Sequence, residues 1–212
     1  MTRHAHFITV EGGEGAGKST QVRRLAARLQ ARGETVLTTR EPGGTPDAEA
    51  IRALLIAGCE SRWDPLAETL LHLAARRQHL VDAIFPALER GEWVVSDRFY
   101  DSTRAYQGSG QAVPLATIDA LHEPVLEGVE PGLTLILDIP PAIGLARAQG
   151  RADASRYERW SVDRHEAIRK AFLAIAAEEP ERCAVVDAAG DAESVAAGVW
   201  SLVAARFPEL AG

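Results

Sequence analysis

Eight consecutive residues, Gly12-Gly13-Glu14-Gly15-Ala16-Gly17-Lys18-Ser19, bring the parts of a phosphate site into one short segment. Glycine at 12, 15 and 17 lets successive backbone N–H groups converge on phosphate oxygens through conformations that a Cβ would obstruct. Lys18 offers a compact ammonium to the β- and γ-phosphates, and the Ser19 hydroxyl suits Mg²⁺. Such a loop needs a strand before it and a helix after it. An apolar run at 7–10 and a helical period over about 19–32 supply both, with Val22, Leu25, Ala26 and Leu29 as the buried stripe. The segment therefore reads as a P-loop that binds a nucleoside triphosphate, with Gly13, Glu14, Ala16 and Thr20 completing its lining. The lysine carries weight, because of the 23 basic residues only Lys18 and Lys170 are lysine and the other 21 are arginine.

Three further groups could act on the same phosphates. Val94-Val95-Ser96-Asp97-Arg98-Phe99 leaves a carboxylate and a guanidinium at the end of an apolar strand. Alone such a pair is most simply a salt bridge. Beside a P-loop, Asp97 can hold Mg²⁺ through water and Arg98 can clamp a transferring phosphate. Thr39-Arg40-Glu41-Pro42-Gly43-Gly44-Thr45 ends a second strand in a fixed turn, read either as a polar turn or as part of the same rim. Arg147, Arg151, Arg156, Arg159 and Arg164 form a third cluster, which is a solvated face or a mobile flap over phosphates.

These residues need a scaffold that presents strand ends along one edge. Strand-length runs at 7–10, 35–39, 93–96, 133–138 and 183–187 alternate with helical segments at 46–57, 64–90 (bent at Pro86), after Pro141, 161–179 and 192–207. Alternation of this kind predicts a three-layer α/β domain with five parallel strands, helices on both faces, and ligands at the carboxyl ends of the strands. No stretch has linker composition, so residues 1–212 read as one domain, with a mobile lid around 147–160.

A formal charge of -7 disfavours nucleic acid and acidic membranes as partners and favours a small molecule. Cys59 and Cys183 lack the paired spacing of a zinc or redox site. No segment resembles a signal peptide or a run of 18 apolar residues, so a cytoplasmic protein is expected.

Taken together, the P-loop with its internal glutamate, Arg40-Glu41-Pro42-Gly43-Gly44-Thr45, Asp97-Arg98, Ser102-Thr103-Arg104-Ala105-Tyr106-Gln107-Gly108 and the arginine flap resemble bacterial thymidylate kinases from residue 7 to about 200. That resemblance implies a P-loop kinase fold with strand order 2-3-1-4-5, transfer of the γ-phosphoryl of ATP to dTMP with Mg²⁺, and a homodimer. It implies that Glu14 approaches the deoxyribose 3′-hydroxyl and that Arg52 holds the acceptor phosphate, with Glu41 beside it. Arg76 would donate to the thymine carbonyl, while Thr103, Tyr106 and Gln107 serve the base and sugar. Lys18, Arg98, Arg151 and Asp97 would be the catalytic set, with Ser19 and Asp97 on Mg²⁺ and with Arg147, Arg151 and Arg156 on the ATP side. The spacing Arg151-x-x-x-x-Arg156-x-Glu158 is similar to that of members whose catalytic arginine lies in the lid. Two positions depart from the pattern: His72 stands where many members stack a phenylalanine on thymine, and Ser155 where an aspartate often precedes arginine. Rival readings are a P-loop kinase for dUMP or a deoxynucleoside, and a nucleotide-binding switch. The sequence lacks the Asn-Lys-x-Asp motif that a guanine-specific switch would carry.

Overall fold

A computed structural model describes residues 2–149 and 156–210 of the chain. In chain order its elements are β1 (Thr2–Gly12), α1 (Lys18–Gln30), β2 (Val36–Arg40), α2 (Pro46–Ile56), α3 (Pro65–His79), α4 (Phe85–Glu89) and β3 (Trp93–Asp97). There follow α5 (Tyr100–Thr103), α6 (Leu115–Leu126), β4 (Val129–Asp138), α7 (Pro141–Ala148), α8 (Val162–Glu178), β5 (Cys183–Asp187) and α9 (Ala192–Arg206). The five strands form one parallel sheet in the order β2-β3-β1-β4-β5.

Alternation along the strands builds the three layers. Ile8 and Val10 of β1 and Leu133, Leu135 and Leu137 of β4 pack on Val22, Leu25 and Leu29 of α1 and on Val195, Val199 and Val203 of α9. Their neighbours point the other way: Phe7 and Val94 meet Leu80, Ile84 and Ala87, while Ile136 meets Ile168 and Phe172 of α8. Both faces of the central strands are thus covered, which is why β1, β3 and β4 contain nearly continuous apolar runs.

The helix expected over 64–90 begins as its sequence dictates. Asp64 accepts from the N–H groups of Leu66 (3.0 Å) and Ala67 (3.2 Å), and Pro65 occupies the first turn. Its helical backbone continues to Glu89, but not as a uniform α-helix. Pro86 has no N–H to return to the preceding turn, and the register widens before it into a π turn at Leu80–Ile84, where Phe85 N–H reaches Leu80 O. Between β3 and β4, where no element was expected, the chain forms α5, a second π turn (Arg104–Ser109) and α6, which contains Pro124 in its last turn.

Register then assembles the rim. Val10 and Arg40 both lie beside Asp97. Glu41 N–H donates to Asp97 O (2.9 Å), and Arg98 N–H donates to Val10 O (3.0 Å). The P-loop, the Glu41–Pro42 turn and the Asp97–Arg98 pair, distant in sequence, therefore leave adjacent strands at the same edge.

Candidate active site

The loop between β1 and α1 has the backbone its glycines imply. Gly15 has φ +69°, and a Cβ there would stand 1.8 Å from Gly144 O of α7. Gly17, at φ 88°, caps α1 without a side-chain partner, and the first turn contains no acidic residue. The N-terminal dipole of α1 is thus left to an anion. Lys18 Nζ donates to Gly12 O (3.1 Å) and Gly13 O (2.7 Å), lying back along the loop. Burial, then the Arg98 charge, lower its pKa to about 8. The hydroxyl of Ser19, one residue on, donates to Asp97 Oδ2 at 2.5 Å.

Arg98 is strained. Its φ of 73° lies in the left-handed region, where a side chain costs on the order of 1–3 kcal/mol. The surroundings hold it there: Ser96 Oγ donates to its carbonyl (2.7 Å), and its guanidinium donates to Gly12 O (3.1 Å), Ser102 Oγ (3.0 Å), Glu14 Oε1 (3.0 Å) and the Tyr106 hydroxyl (3.0 Å). Tyr106 in turn donates to Glu14 Oε1 at 2.9 Å. Burial alone would raise the Glu14 carboxyl, but Arg98, then Lys18 and the Tyr106 bond outweigh it and hold its pKa below the usual range. A carboxylate, a phenol and a guanidinium are thereby fixed beside the P-loop.

The opposite end of the cavity is neutral or paired. Arg76, buried on α3, donates through Nε to Glu41 Oε2 (2.7 Å), through Nη1 to Thr103 Oγ1 (3.0 Å) and toward His122 Nε2 (2.8 Å), and through Nη2 to Phe99 O (3.0 Å). Those contacts engage all but one of the five N–H groups a guanidinium carries, leaving one donor on Nη2 without a partner among the described residues. Glu41 also receives the buried His79 at 3.1 Å. His72 Nε2 lies 3.0 Å from the Tyr157 hydroxyl, Gln107 donates to Glu68 (3.0 Å), and Arg52 donates to Pro42 O (2.8 Å).

One cavity of about 440 Å³ gathers Glu14, Gly15, Gly17, Lys18, Ser19, Thr20, Glu41, Arg52, His72, Arg76, Asp97, Arg98, Thr103, Tyr106 and Gln107. A second, of about 310 Å³, lies on the other side of the P-loop between Gly15, Ala16, Gly17, Thr20, Arg147 and the 188–192 turn. Arg147 is tied there by bonds to Ala188 O (2.8 Å) and Ala189 O (2.6 Å). Gly12 and Gly13 take part through the carbonyls that receive Lys18.

Arg156 departs from the expectation. It was expected among the ATP-side arginines, yet it is fully buried against α2 and α3, donating to Glu68 Oε2, Leu55 O (2.7 Å) and Glu60 O (2.9 Å). With Tyr157 and Trp160 buried beside it, the Arg156–Arg159 turn is packed on α2 and α3 and is not a solvated face. Arg151 and Ser155 lie outside the described residues.

Sequence reasoning missed Glu11 and Glu68 and gave no role to Ser102, which it placed within a motif. Glu11, fully buried, accepts from Phe99 N–H (2.7 Å), Ser102 N–H (3.3 Å) and Ser102 Oγ (2.6 Å), and so fixes the hydroxyl that receives Arg98. The one local signal for Glu11 was a glutamate directly after the apolar run at 7–10.

A sequence profile of thymidylate kinases matches residues 10–199. The chain belongs to the thymidylate kinase family. It is 54% identical over 201 residues to the thymidylate kinase of Caulobacter vibrioides, covering 95% of this chain and 97% of that one. It is 52% identical over 207 residues to that of Rhodopseudomonas palustris strain TIE-1, covering 96% and 90%. The crystal structure of thymidylate kinase from Ehrlichia chaffeensis superimposes with a TM-score of 0.76 at 35% identity, over 93% of this chain and 97% of that one. Membership makes this an ATP-dependent nucleoside monophosphate kinase, and the strand order and P-loop geometry are those of a P-loop kinase fold.

Proposed function

We propose that the chain transfers the γ-phosphoryl group of ATP to dTMP, giving dTDP and ADP. The observation that carries this reading is the polarity of the larger cavity: Lys18, Arg98 and Arg52 line one end, and a hydrogen-bonding, uncharged-ligand end is formed by Arg76, Thr103, Gln107 and His72. A nucleoside monophosphate fits that gradient, with its phosphate toward the P-loop. In the transfer, an acceptor phosphate oxygen forms a bond to the γ-phosphorus as the bond to the bridging oxygen breaks, and ADP leaves with the electron pair.

Each residue has a task. The P-loop amides from Gly12 to Thr20 and Lys18 hold the donor phosphates, and the second cavity beside Arg147 takes the donor base. Arg98 bridges donor and acceptor, Arg52 grips the acceptor phosphate, and Glu14 accepts from the sugar hydroxyl above Tyr106. Glu41 orients Arg76 through their 2.7 Å bond, and Arg76 keeps one donor for a base carbonyl. Arg151 is assigned to the γ-phosphate on its position in the sequence alone. Ser19 and Asp97 are hard oxygen donors 2.5 Å apart and suit Mg²⁺, which keeps several waters and when bound offsets phosphate charge.

Initial rates of ADP release with dTMP, dUMP, dCMP and thymidine test the assignment. dTMP is expected to lead, and chelation of Mg²⁺ to abolish turnover. Binding of ATP without turnover of any monophosphate would replace the reading with a nucleotide switch. A cytoplasmic homodimer belongs to the same proposal. Leu66 and Leu70, one turn apart on α3, together with Val81 leave an exposed apolar strip that a second copy would cover. Sedimentation velocity that returns a monomer at micromolar concentration would remove that part alone.

A further inference from the structure

Behind the acceptor end of the cavity lies a buried carboxylate that the proposed chemistry leaves unused. Glu68 of α3 is fully buried. Its Oε1 accepts from Gln107 Nε2 (3.0 Å), Gln111 Nε2 (2.9 Å) and the Tyr157 hydroxyl (3.0 Å), and its Oε2 accepts from Arg156 Nη2. The same hydroxyl lies 3.2 Å from Arg156 Nη2 and 3.0 Å from His72 Nε2. A phenol has one proton and two lone pairs, a carboxylate only accepts, and a guanidinium only donates. The Tyr157 proton therefore goes to Glu68, and Arg156 fills one lone pair. His72 must meet the other as Nε2–H.

We propose that Tyr157 is a positioning residue for the acceptor base, locking His72 as the neutral Nε2–H tautomer and so fixing the ring that lines this end of the cavity. The inference rests on the reading of the cavity as the acceptor site. Packing makes the lock rigid, because the Tyr157 ring meets Trp160 edge to face at 5.1 Å and Tyr106 at 5.9 Å. Electrostatics keep both protons where the bonding requires them. Burial, then the charges of Arg76 and Arg156, bring the His72 pKa down to about 3, while burial and then Glu68 push the Tyr157 hydroxyl up. His72 consequently lines the cavity as a neutral ring whose one N–H is engaged by Tyr157. With no charge on His72, the guanidinium of Arg76 on the same wall favours a pyrimidine that presents a carbonyl over one that presents an amino group.

Side-chain ¹H–¹⁵N NMR of the free protein reads the tautomer without any substrate. The expected result is His72 protonated on Nε2 alone, from neutrality down to about pH 5. A cationic ring, or a proton on Nδ1, overturns the proposal whatever the chain phosphorylates. Kinetics supply the second arm. Tyr157→Phe should raise KM for dTMP about fivefold, the weight of one hydrogen bond, and leave KM for ATP within about twofold. In a His72→Phe background, where no imidazole remains to be held, the same change should move KM for dTMP by less than about twofold. An equal loss in both backgrounds shows that Tyr157 acts without His72 and overturns the proposal. If no monophosphate is turned over, the kinase reading fails while the NMR arm still decides this one.

Discussion

Replacing Arg98 with alanine separates catalysis from stability at one position. In the protein its guanidinium makes four hydrogen bonds of 3.0–3.1 Å, yet each acceptor keeps another partner when it is gone. Gly12 O still receives Lys18, Ser102 Oγ still bonds Glu11, and Glu14 still receives Tyr106. The pair with Glu14 is also partly exposed, at 15% and 14%, which limits its worth. Loss of folding stability should therefore be about 2 kcal/mol or less, a fall in Tm of roughly 4–8 °C for a chain of this size. Loss of a cation between two anionic substrates is another matter, and kcat should fall by about a thousandfold or more. Glu14 supplies a further signature, since its depressed carboxyl contributes stability that is present above the usual carboxylate range and lost as pH falls through its folded pKa. The wild-type advantage in stability should shrink on acidification. The assay is coupled ADP release at saturating ATP, dTMP and Mg²⁺, beside thermal unfolding of both proteins. A kcat within about tenfold of wild type, with Tm little changed, would refute the assignment of Arg98 to the transition state.

Lys18→Ala should lower kcat by at least about a hundredfold with the fold retained, and near-normal turnover would remove Lys18 from the donor site. In the unaltered protein, kcat/KM for ATP should decline as pH rises through about 8, because the buried ammonium then loses its proton, and a flat profile to pH 9 or so would contradict that pKa. Gly15→Ala forces a Cβ to 1.8 Å from Gly144 O at φ +69° and should abolish ATP binding by displacing α7 from the loop, as isothermal titration can show. Burial and the neighbouring Asp101 raise the Glu11 carboxyl to about 7, so between its ordinary value of 4.5 and that pKa the folded state binds the extra proton. Stability should consequently fall as pH rises through that window and level off above it, by up to about 3 kcal/mol relative to Glu11→Gln. Urea midpoints for the two proteins that run parallel from pH 5 to 8 would exclude it.

The amino-acid sequence alone determines the parts of this protein whose physics is local. A P-loop is a demand on consecutive backbone conformations, so Gly12, Gly15 and Gly17 announce it without reference to anything distant. The three central strands are equally legible, because burial on both faces makes 7–10, 93–95 and 133–137 largely apolar runs between turn residues. Asp64-Pro65 and Pro141 mark helix starts for similarly local reasons. Irregular elements were harder: the proline-containing α6 and the two π turns trade local hydrogen-bond register for packing, and periodicity does not foresee that exchange.

Charged side chains divide most sharply. Arg98 and Lys18 lie within motifs that fix their neighbours, and their place at the rim could be read directly. Arg156 could not, because in the sequence it belongs to an arginine cluster near Arg151, while its burial depends on Glu68, 88 residues away. Glu11 meets Ser102 across 91 residues, and His72 meets Tyr157 across 85. An arginine, a glutamate or a histidine names a charge and a set of hydrogen bonds, but only the tertiary structure supplies the partner that uses them. That is why the P-loop and the Asp97–Arg98 rim were legible in the sequence, while the meeting of His72 with Tyr157 was decided by the folding of α3 against the Arg156–Arg159 turn.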